Sequence, residues 1–373
     1  MTFTPFNLEY TQSIWEQKVD FNLTESGVHP IRLDALLGDD RDKLDELLAT
    51  EINYPHVNGN PDLRERIAAL YDGAGVANVL VTVGAAEANN IIMQTLMEPG
   101  DELLTETPTY MQVWGLAGNS GHTVRSFRLQ SENAWALDAD ELEAGLSERT
   151  KIIALVNPNN PTGRILTAAE MDAIVVAADK GGAWILADEV YRGAERTREE
   201  ETPSFFGRYD KVLALGSMSK AYALPGLRVG WIVGPPDTVD DIWRRHEYTT
   251  ITASMLSNIL ASHALSPDVR PRLLERTRGY IRNGFPVLES WMGRQEGLFS
   301  YTPPDASAVS FIRYHLDINS TELMEKLCRE ASVFVGAGDS FGMDHHLRIA
   351  FGQEKATLDE AFSRIERVLA SLA

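Results

Sequence analysis

The chain reads as an α/β protein with a mostly parallel seven-stranded sheet in a large domain and a smaller α+β domain beside it. Three observations predict this. Short β-rich apolar runs alternate with longer helical segments through the first two-thirds of the sequence. Several runs carry no internal polar alternation, as strands covered on both faces require. Beyond about Asp268 the rhythm stops and a long charged helical stretch takes over.

The runs, in order, are Val79–Val83, Glu102–Glu106, Thr123–Arg128, Ile152–Val156, Trp184–Ala187, Val212–Leu215 and Val229–Val233. The segments between them are long enough to cross a sheet as helices, which favours parallel neighbours. Pro61–Tyr71 reads as a helix with Pro61 in the first turn, where a missing N–H is harmless. Thr167–Asp179 opens with Thr167–Ala168–Ala169–Glu170, a capping-box pattern. The acidic segment Glu195–Glu201 reads as a solvated loop. After Asp268, Arg270–Met292 reads as a helix, Ala308–Tyr314 and His346–Phe351 as short strands, and the residues from Leu358 as a closing helix. The large domain is placed at 46–276. Residues 1–45, which also lack the strand–helix rhythm, are placed with 277–373 in the small one.

Composition removes several function classes. Among 373 residues, 54 acids outnumber 34 bases for a net charge of −20, and such a surface repels phosphate backbones and anionic lipid. Nucleic acid and membrane are therefore not expected as partners, and a DNA-bound sensor is disfavoured. Met1–Glu9 lacks an export signal and no apolar run approaches the ~20 residues that span a bilayer, so a soluble, cytoplasmic protein is expected. The single cysteine, Cys328, cannot form an internal disulfide and reads as a small buried side chain. The histidines are scattered, and His345 and His346 point to opposite faces of a strand, so no metal site is expected.

The chemistry gathers at the carboxyl ends of the predicted strands, where open α/β sheets bind ligands. Val212–Leu215 leads into Ser217–Met218–Ser219–Lys220 and Gly226–Leu227–Arg228. A covered lysine loses its proton readily and its neutral amine adds to carbonyls, while serines and an arginine suit a phosphate. Alone, a lysine after serines is ordinary surface. Trp184–Ala187 delivers Asp188, with Tyr191 three residues on. A carboxylate leaving an apolar strand needs a cation or donors, a helix N-cap being the plainer alternative. Ile152–Val156 ends in Asn157–Pro158–Asn159–Asn160–Pro161–Thr162–Gly163, a turn by composition and also a rigid source of amide donors. Thr82–Val83–Gly84–Ala85–Ala86–Glu87–Ala88 carries a strand into small residues at a helix start, which favours an anion.

Together, in this order, the motifs resemble the class I/II aminotransferases of fold type I, which depend on pyridoxal 5′-phosphate (PLP). The resemblance runs from Gly27 to Arg348. It implies that Lys220 holds PLP covalently and moves a proton, that Asp188 pairs with the ring nitrogen, and that Tyr191 and Asn160 bond the ring's phenolic oxygen. Ala85, Ala86, Ser217, Ser219 and Arg228 would bind the phosphate. Tyr110 would stack on the ring, and Arg348 would clamp the substrate α-carboxylate beside the Gly27 amide. Tyr54, in Asn53–Tyr54–Pro55, would reach the phosphate in a neighbouring subunit, implying a homodimer with shared active sites.

The activity implied is amino-group transfer between an amino acid and a 2-oxo acid. The same residues also serve β-elimination, β-replacement or cyclisation of a substituted amino acid. Glu25–Ser26–Gly27–Val28–His29–Pro30 resembles the capreomycidine synthase branch, which cyclises a hydroxylated arginine. Glu16 and Glu25 would there face a guanidinium, solvated surface acids being the plainer reading. His29 and His246 are candidate site-lining residues, and Tyr248, Thr249 and Thr250 candidate contacts for a partner's substrate. No second arginine for a distal carboxylate is assigned.

Overall fold

A computed structural model describes residues 3–38 and 40–372. All seven expected strands form within one sheet, in the order Val79–Thr82, Gly230–Val233, Val212–Ser217, Trp184–Asp188, Thr150–Val156, Glu102–Thr107, Thr123–Gln130. An eighth, Ala136–Leu137, pairs antiparallel with the edge at Leu129–Gln130. At two residues it is too short to leave a pattern in the sequence.

From Val212–Ser217 to Thr123–Gln130 every neighbour is parallel. Gly230–Val233 is antiparallel to both neighbours, so Val79–Thr82 again points the same way as the central strands. That double reversal matters for the site. It brings the start of helix Gly84–Leu96 to the same edge as Ser217, Asp188 and Val156.

The missing polar alternation has a direct cause. Leu80, Leu103, Ile152, Leu186, Leu213 and Ile232 face one apolar cluster, with Ile91 and Ile92 of helix Gly84–Leu96. Val79, Val81, Leu104, Ile153, Ile185 and Val212 face another, with Met171 and Ile174 of helix Ala168–Gly181. Successive side chains thus alternate between two cores rather than between core and water.

The C-terminal part holds a four-stranded antiparallel sheet, Phe299–Tyr301, Val309–Tyr314, His346–Ala350 and Gly336–Ala337, packed with helices Arg270–Gly293 and Lys355–Leu369. The beginning of the chain is woven into it. Phe21–Asn22 pairs in parallel with Val333–Phe334, and Ala350 N–H donates to Leu23 O at 2.8 Å. Residues 24–27 are thereby delivered to Lys220, where a Cβ on Gly27 would lie 3.4 Å from Ser219 O and 3.8 Å from Lys220 Cδ. Cys328 is buried, as expected.

The acidic loop is solvated in its middle, at Glu199 and Glu200, and departs from that reading at its two ends. Glu195 is fully buried and accepts from Arg278 Nη2 at 2.6 Å, while Glu201 accepts from Arg270 Nη2 at 2.8 Å. Its partners lie on helix Arg270–Gly293, far along the chain. The charges of loop and helix satisfy one another.

Candidate active site

The carboxyl edge of the large sheet, the N-terminal helix Asn7–Trp15 and strand His346–Ala350 enclose a cavity of about 430 Å³. Lys220, Asp188, Tyr191, Asn160, Ala85, Ala86, Ser217, Ser219, Arg228, Tyr110 and Arg348 all line it. A wider groove of about 920 Å³ runs along helix Arg270–Gly293. Its charges include Lys355 and Asp359, which pair with each other at 2.5 Å, and no set of functional groups converges there.

One end of the cavity is built for an oxyanion. Helix geometry leaves the Ala85 and Ala86 N–H groups without intrahelical acceptors. Ser217 Oγ donates to Ser219 Oγ at 2.9 Å, and Arg228 approaches Ser219 with Nη1 3.5 Å from its Oγ. Two glycines make room. Gly84 has φ +74°, and a Cβ there would sit 2.6 Å from Arg228 Nη2; at Gly230 it would sit 2.5 Å from Ala85 N. Only a bare backbone lets strand, helix start and guanidinium come this close.

The middle is built for a cation. Asp188 is 8% exposed, and burial pushes its carboxyl up to about 6 although the Lys220 charge pulls the other way. Lys220 Nζ itself pairs with Glu25 Oε2 at 3.7 Å. Among the described residues the Asp188 carboxylate accepts from the Val190 N–H, at 3.2 Å, and from no other donor, which leaves it able to take a cation. Tyr191 donates to Ser26 Oγ at 2.7 Å, and burial raises its phenol.

At the far end Arg348, 3% exposed, donates from Nη1 to Asn160 Oδ1 at 2.9 Å and from Nη2 to Thr24 O at 2.7 Å. Among the described residues its buried Nε meets no acceptor. A buried guanidinium with an unused donor suits a carboxylate.

Not every candidate converges. Tyr54 is 79% exposed and lies outside this cavity. Glu16 does not line it, whereas Glu25 does, and Gln12 Nε2 donates to Glu25 Oε1. His29 faces Gln353, with Nδ1 3.3 Å from Oε1. His246 is fully buried beneath the helix start, its Nε2 3.2 Å from Glu87 Oε2, and Thr249 and Thr250 donate to the same carboxylate. Glu87 in turn accepts from the Val83 N–H at 2.7 Å. Burial pushes this carboxyl upward, but those four donors prevail and bring it down to about 2.

Sequence reasoning missed Phe6, Glu9, Gln12, Thr24 and Ser26 on the wall. Phe6, Glu9 and Gln12 recur every three residues, a helical spacing that marks one face. Thr24 acts through its carbonyl, which leaves no mark in the sequence.

Over residues 45–365 the chain matches the family of class I and II aminotransferases. It is 31% identical over 319 residues to capreomycidine synthase of Streptomyces vinaceus, covering 84% of this chain and 80% of that protein. It is 29% identical over 335 residues to an aspartate aminotransferase of Streptomyces avermitilis, covering 85% and 81%. A PLP-dependent aminotransferase from Streptococcus suis superposes with a TM-score of 0.93 at 29% identity, covering 100% of this chain and 99% of that one.

Proposed function

We propose, from the premise that the chain belongs to the class I and II aminotransferases, that it moves an amino group between an amino acid and a 2-oxo acid. Its cofactor is PLP. When bound, PLP supplies a carbonyl carbon that takes up amino groups and a ring that accepts the electron pair left at Cα.

The cavity fits that group by its chemistry. The helix start, the two serines and Arg228 suit a phosphate, and the cation-seeking Asp188 suits a protonated ring nitrogen. Tyr110 offers an aromatic face to the ring. Asn160, its Oδ1 taken by Arg348, offers Nδ2 to the ring's oxygen, and the Tyr191 hydroxyl offers a second donor once its proton turns from Ser26 Oγ and Ser26 donates to Tyr191 in exchange. Lys220 Nζ is the amine that holds the cofactor and then takes and returns the Cα proton. Arg348 and the Gly27 amide fix the substrate carboxylate, so that one Cα–H bond is aimed at Lys220. Tyr54, away from its own cavity, is assigned to that of a second copy.

The observation that carries this reading is the single cavity shared by Lys220, Asp188, Arg228 and Arg348. The test is borohydride reduction of holoenzyme followed by peptide mapping. The cofactor should be recovered on Lys220, and Lys220→Ala should lose both trapping and turnover. Trapping at another lysine, or full turnover by the variant, sinks the reading.

A second reading, cyclisation or β-elimination on a cationic amino acid, is favoured by one observation. Once Arg228 has its phosphate, Asp188 its ring nitrogen and Arg348 its carboxylate, Glu9 and Glu25 are the acids left on the wall. Among the described residues, no further arginine lines the cavity for a distal carboxylate, which counts against a dicarboxylic substrate. Product mass distinguishes the outcomes with arginine and β-substituted basic amino acids. Transfer yields a 2-oxo acid and converts the cofactor to its amine form; cyclisation or elimination leaves the cofactor unchanged.

A further inference from the structure

One oxygen atom ties together three pieces of the cavity wall. Glu106 stands near the carboxyl end of strand Glu102–Thr107 and is 1% exposed. Its Oε1 accepts from the Val156 N–H at 2.8 Å, from Asn159 Nδ2 at 2.8 Å and from Thr109 Oγ1 at 3.3 Å. Each donor stands next to a group the cofactor would meet. Val156 lines the cavity and lies opposite Asp188 in the sheet register. Asn159 precedes Asn160, and Thr109 precedes Tyr110.

The sheet explains why a side chain is needed at this point. Pairing between Glu102–Thr107 and Thr150–Val156 runs from Glu102↔Thr150 to Thr105↔Ala154 and then stops. The Val156 N–H lies beyond the last rung, and the Glu106 carboxyl replaces the backbone acceptor that the ladder no longer provides. The same oxygen takes the Asn159 amide. Asn159 Oδ1 accepts from Thr162 N–H at 3.1 Å and from Thr162 Oγ1 at 2.7 Å, which fixes the turn that presents Asn160. Glu106 itself does not line the cavity.

We propose that Glu106 is a positioning residue for PLP, setting through one acceptor oxygen where Asp188, Asn160 and Tyr110 stand relative to one another. This rests on the reading of the cavity as the cofactor site. An acceptor oxygen, rather than a charge, is what the three donors use. Burial pushes the carboxyl up to about 7, with the Asp188 charge adding to the rise and the three donors opposing it, so the neutral acid is accessible near neutral pH and keeps the same oxygen. A glutamine should therefore replace it.

The experiment titrates apoprotein with PLP and compares wild type, Glu106→Gln, Glu106→Ala and Thr109→Val. The readouts are the PLP dissociation constant, the visible absorption of bound cofactor against pH, and kcat/KM. Glu106→Gln is expected within about threefold of wild type on every readout. Glu106→Ala is expected to bind PLP at least tenfold more weakly and to move the pH midpoint of the visible band by half a unit or more, while its circular dichroism remains that of the folded chain. Thr109→Val, which removes one donor and leaves the strand intact, is expected to weaken PLP two- to fivefold.

A folded Glu106→Ala protein with wild-type PLP affinity and band overturns the proposal. So does a glutamine variant as impaired as the alanine one. If Glu106→Ala does not fold, wild-type behaviour of Thr109→Val overturns it. Failure of wild-type protein to bind PLP is seen before any variant is made; that result sinks the cofactor-site reading, and this proposal with it.

Discussion

Arg348 Nη1 donates to Asn160 Oδ1 at 2.9 Å, joining a strand of the small antiparallel sheet to a turn at the edge of the large one. The bond ties the guanidinium to the turn whose Asn160 lines the cavity. The two groups proposed as substrate clamp and as donor to the cofactor ring are thereby placed by one contact.

Removing that guanidinium should weaken substrate handling more than it unsettles the fold. A hydrogen bond to a charged group is worth roughly 1.5–3 kcal/mol, so Arg348→Met should lower kcat/KM by roughly 10- to 150-fold. Arg348→Lys restores charge without the planar fork and should recover only part of the loss. Steady-state kinetics on protein that retains its visible cofactor band check this. An unchanged kcat/KM in Arg348→Met would remove Arg348 from the substrate site.

The two glycines at the oxyanion end should govern cofactor retention. Alanine at Gly84 would combine a left-handed backbone, costing roughly 1–2 kcal/mol, with a methyl 2.6 Å from Arg228 Nη2. Alanine at Gly230 would press on the Ala85 N–H, one of the amides assigned to the phosphate. Each substitution should weaken PLP on the order of tenfold or more, measured by absorbance titration. Wild-type affinity in both variants would move the phosphate elsewhere.

Cofactor-free protein should lose stability as pH rises from about 4.5 toward 7. Burial raises Glu106 and Glu189 to about 7 and Asp188 to about 6, so the folded state holds protons there that the unfolded chain has released. Stability therefore falls with pH across that window, each group contributing on the order of 3 kcal/mol or less. Glu87 acts oppositely: its lowered carboxyl stabilises the fold above about 4.5, and that contribution is lost as pH falls toward 2. Thermal midpoints of the apoprotein against pH, with Glu189→Gln, provide the check. The variant should flatten the decline, and an equal slope in both proteins would count against the assignment.

The chain should self-associate through the segment carrying Leu48, Ile52 and Tyr54, which are 76%, 81% and 79% exposed. Three large apolar side chains exposed within seven residues of chain suit an interaction surface. Sedimentation equilibrium should give a dimer, and Leu48→Glu with Ile52→Glu should shift it toward monomer. A wild-type monomer at all concentrations would leave Tyr54 without the role assigned to it.

Much of this was legible in the residues. The strands announced themselves because both faces of the sheet are covered, and Lys220, Asp188 and Asn160 because each follows such a strand. The acidic loop misled because Glu195 looks solvated until Arg278 is brought beside it from helix Arg270–Gly293. Thr24 was hidden for a different reason: any residue type presents the same carbonyl. Glu106 was concealed within its strand, one position beyond the last rung of backbone pairing.

Arg348 also reaches across 324 positions to the Thr24 carbonyl. During synthesis the seven longer strands of the large sheet leave the ribosome well before Arg348 does, and Thr24 precedes them all. A nascent chain that has already assembled the edge carrying Ser217, Ser219 and Arg228 therefore still lacks Arg348, and the two walls of the cavity meet only when this late strand closes onto residues made some 324 positions earlier.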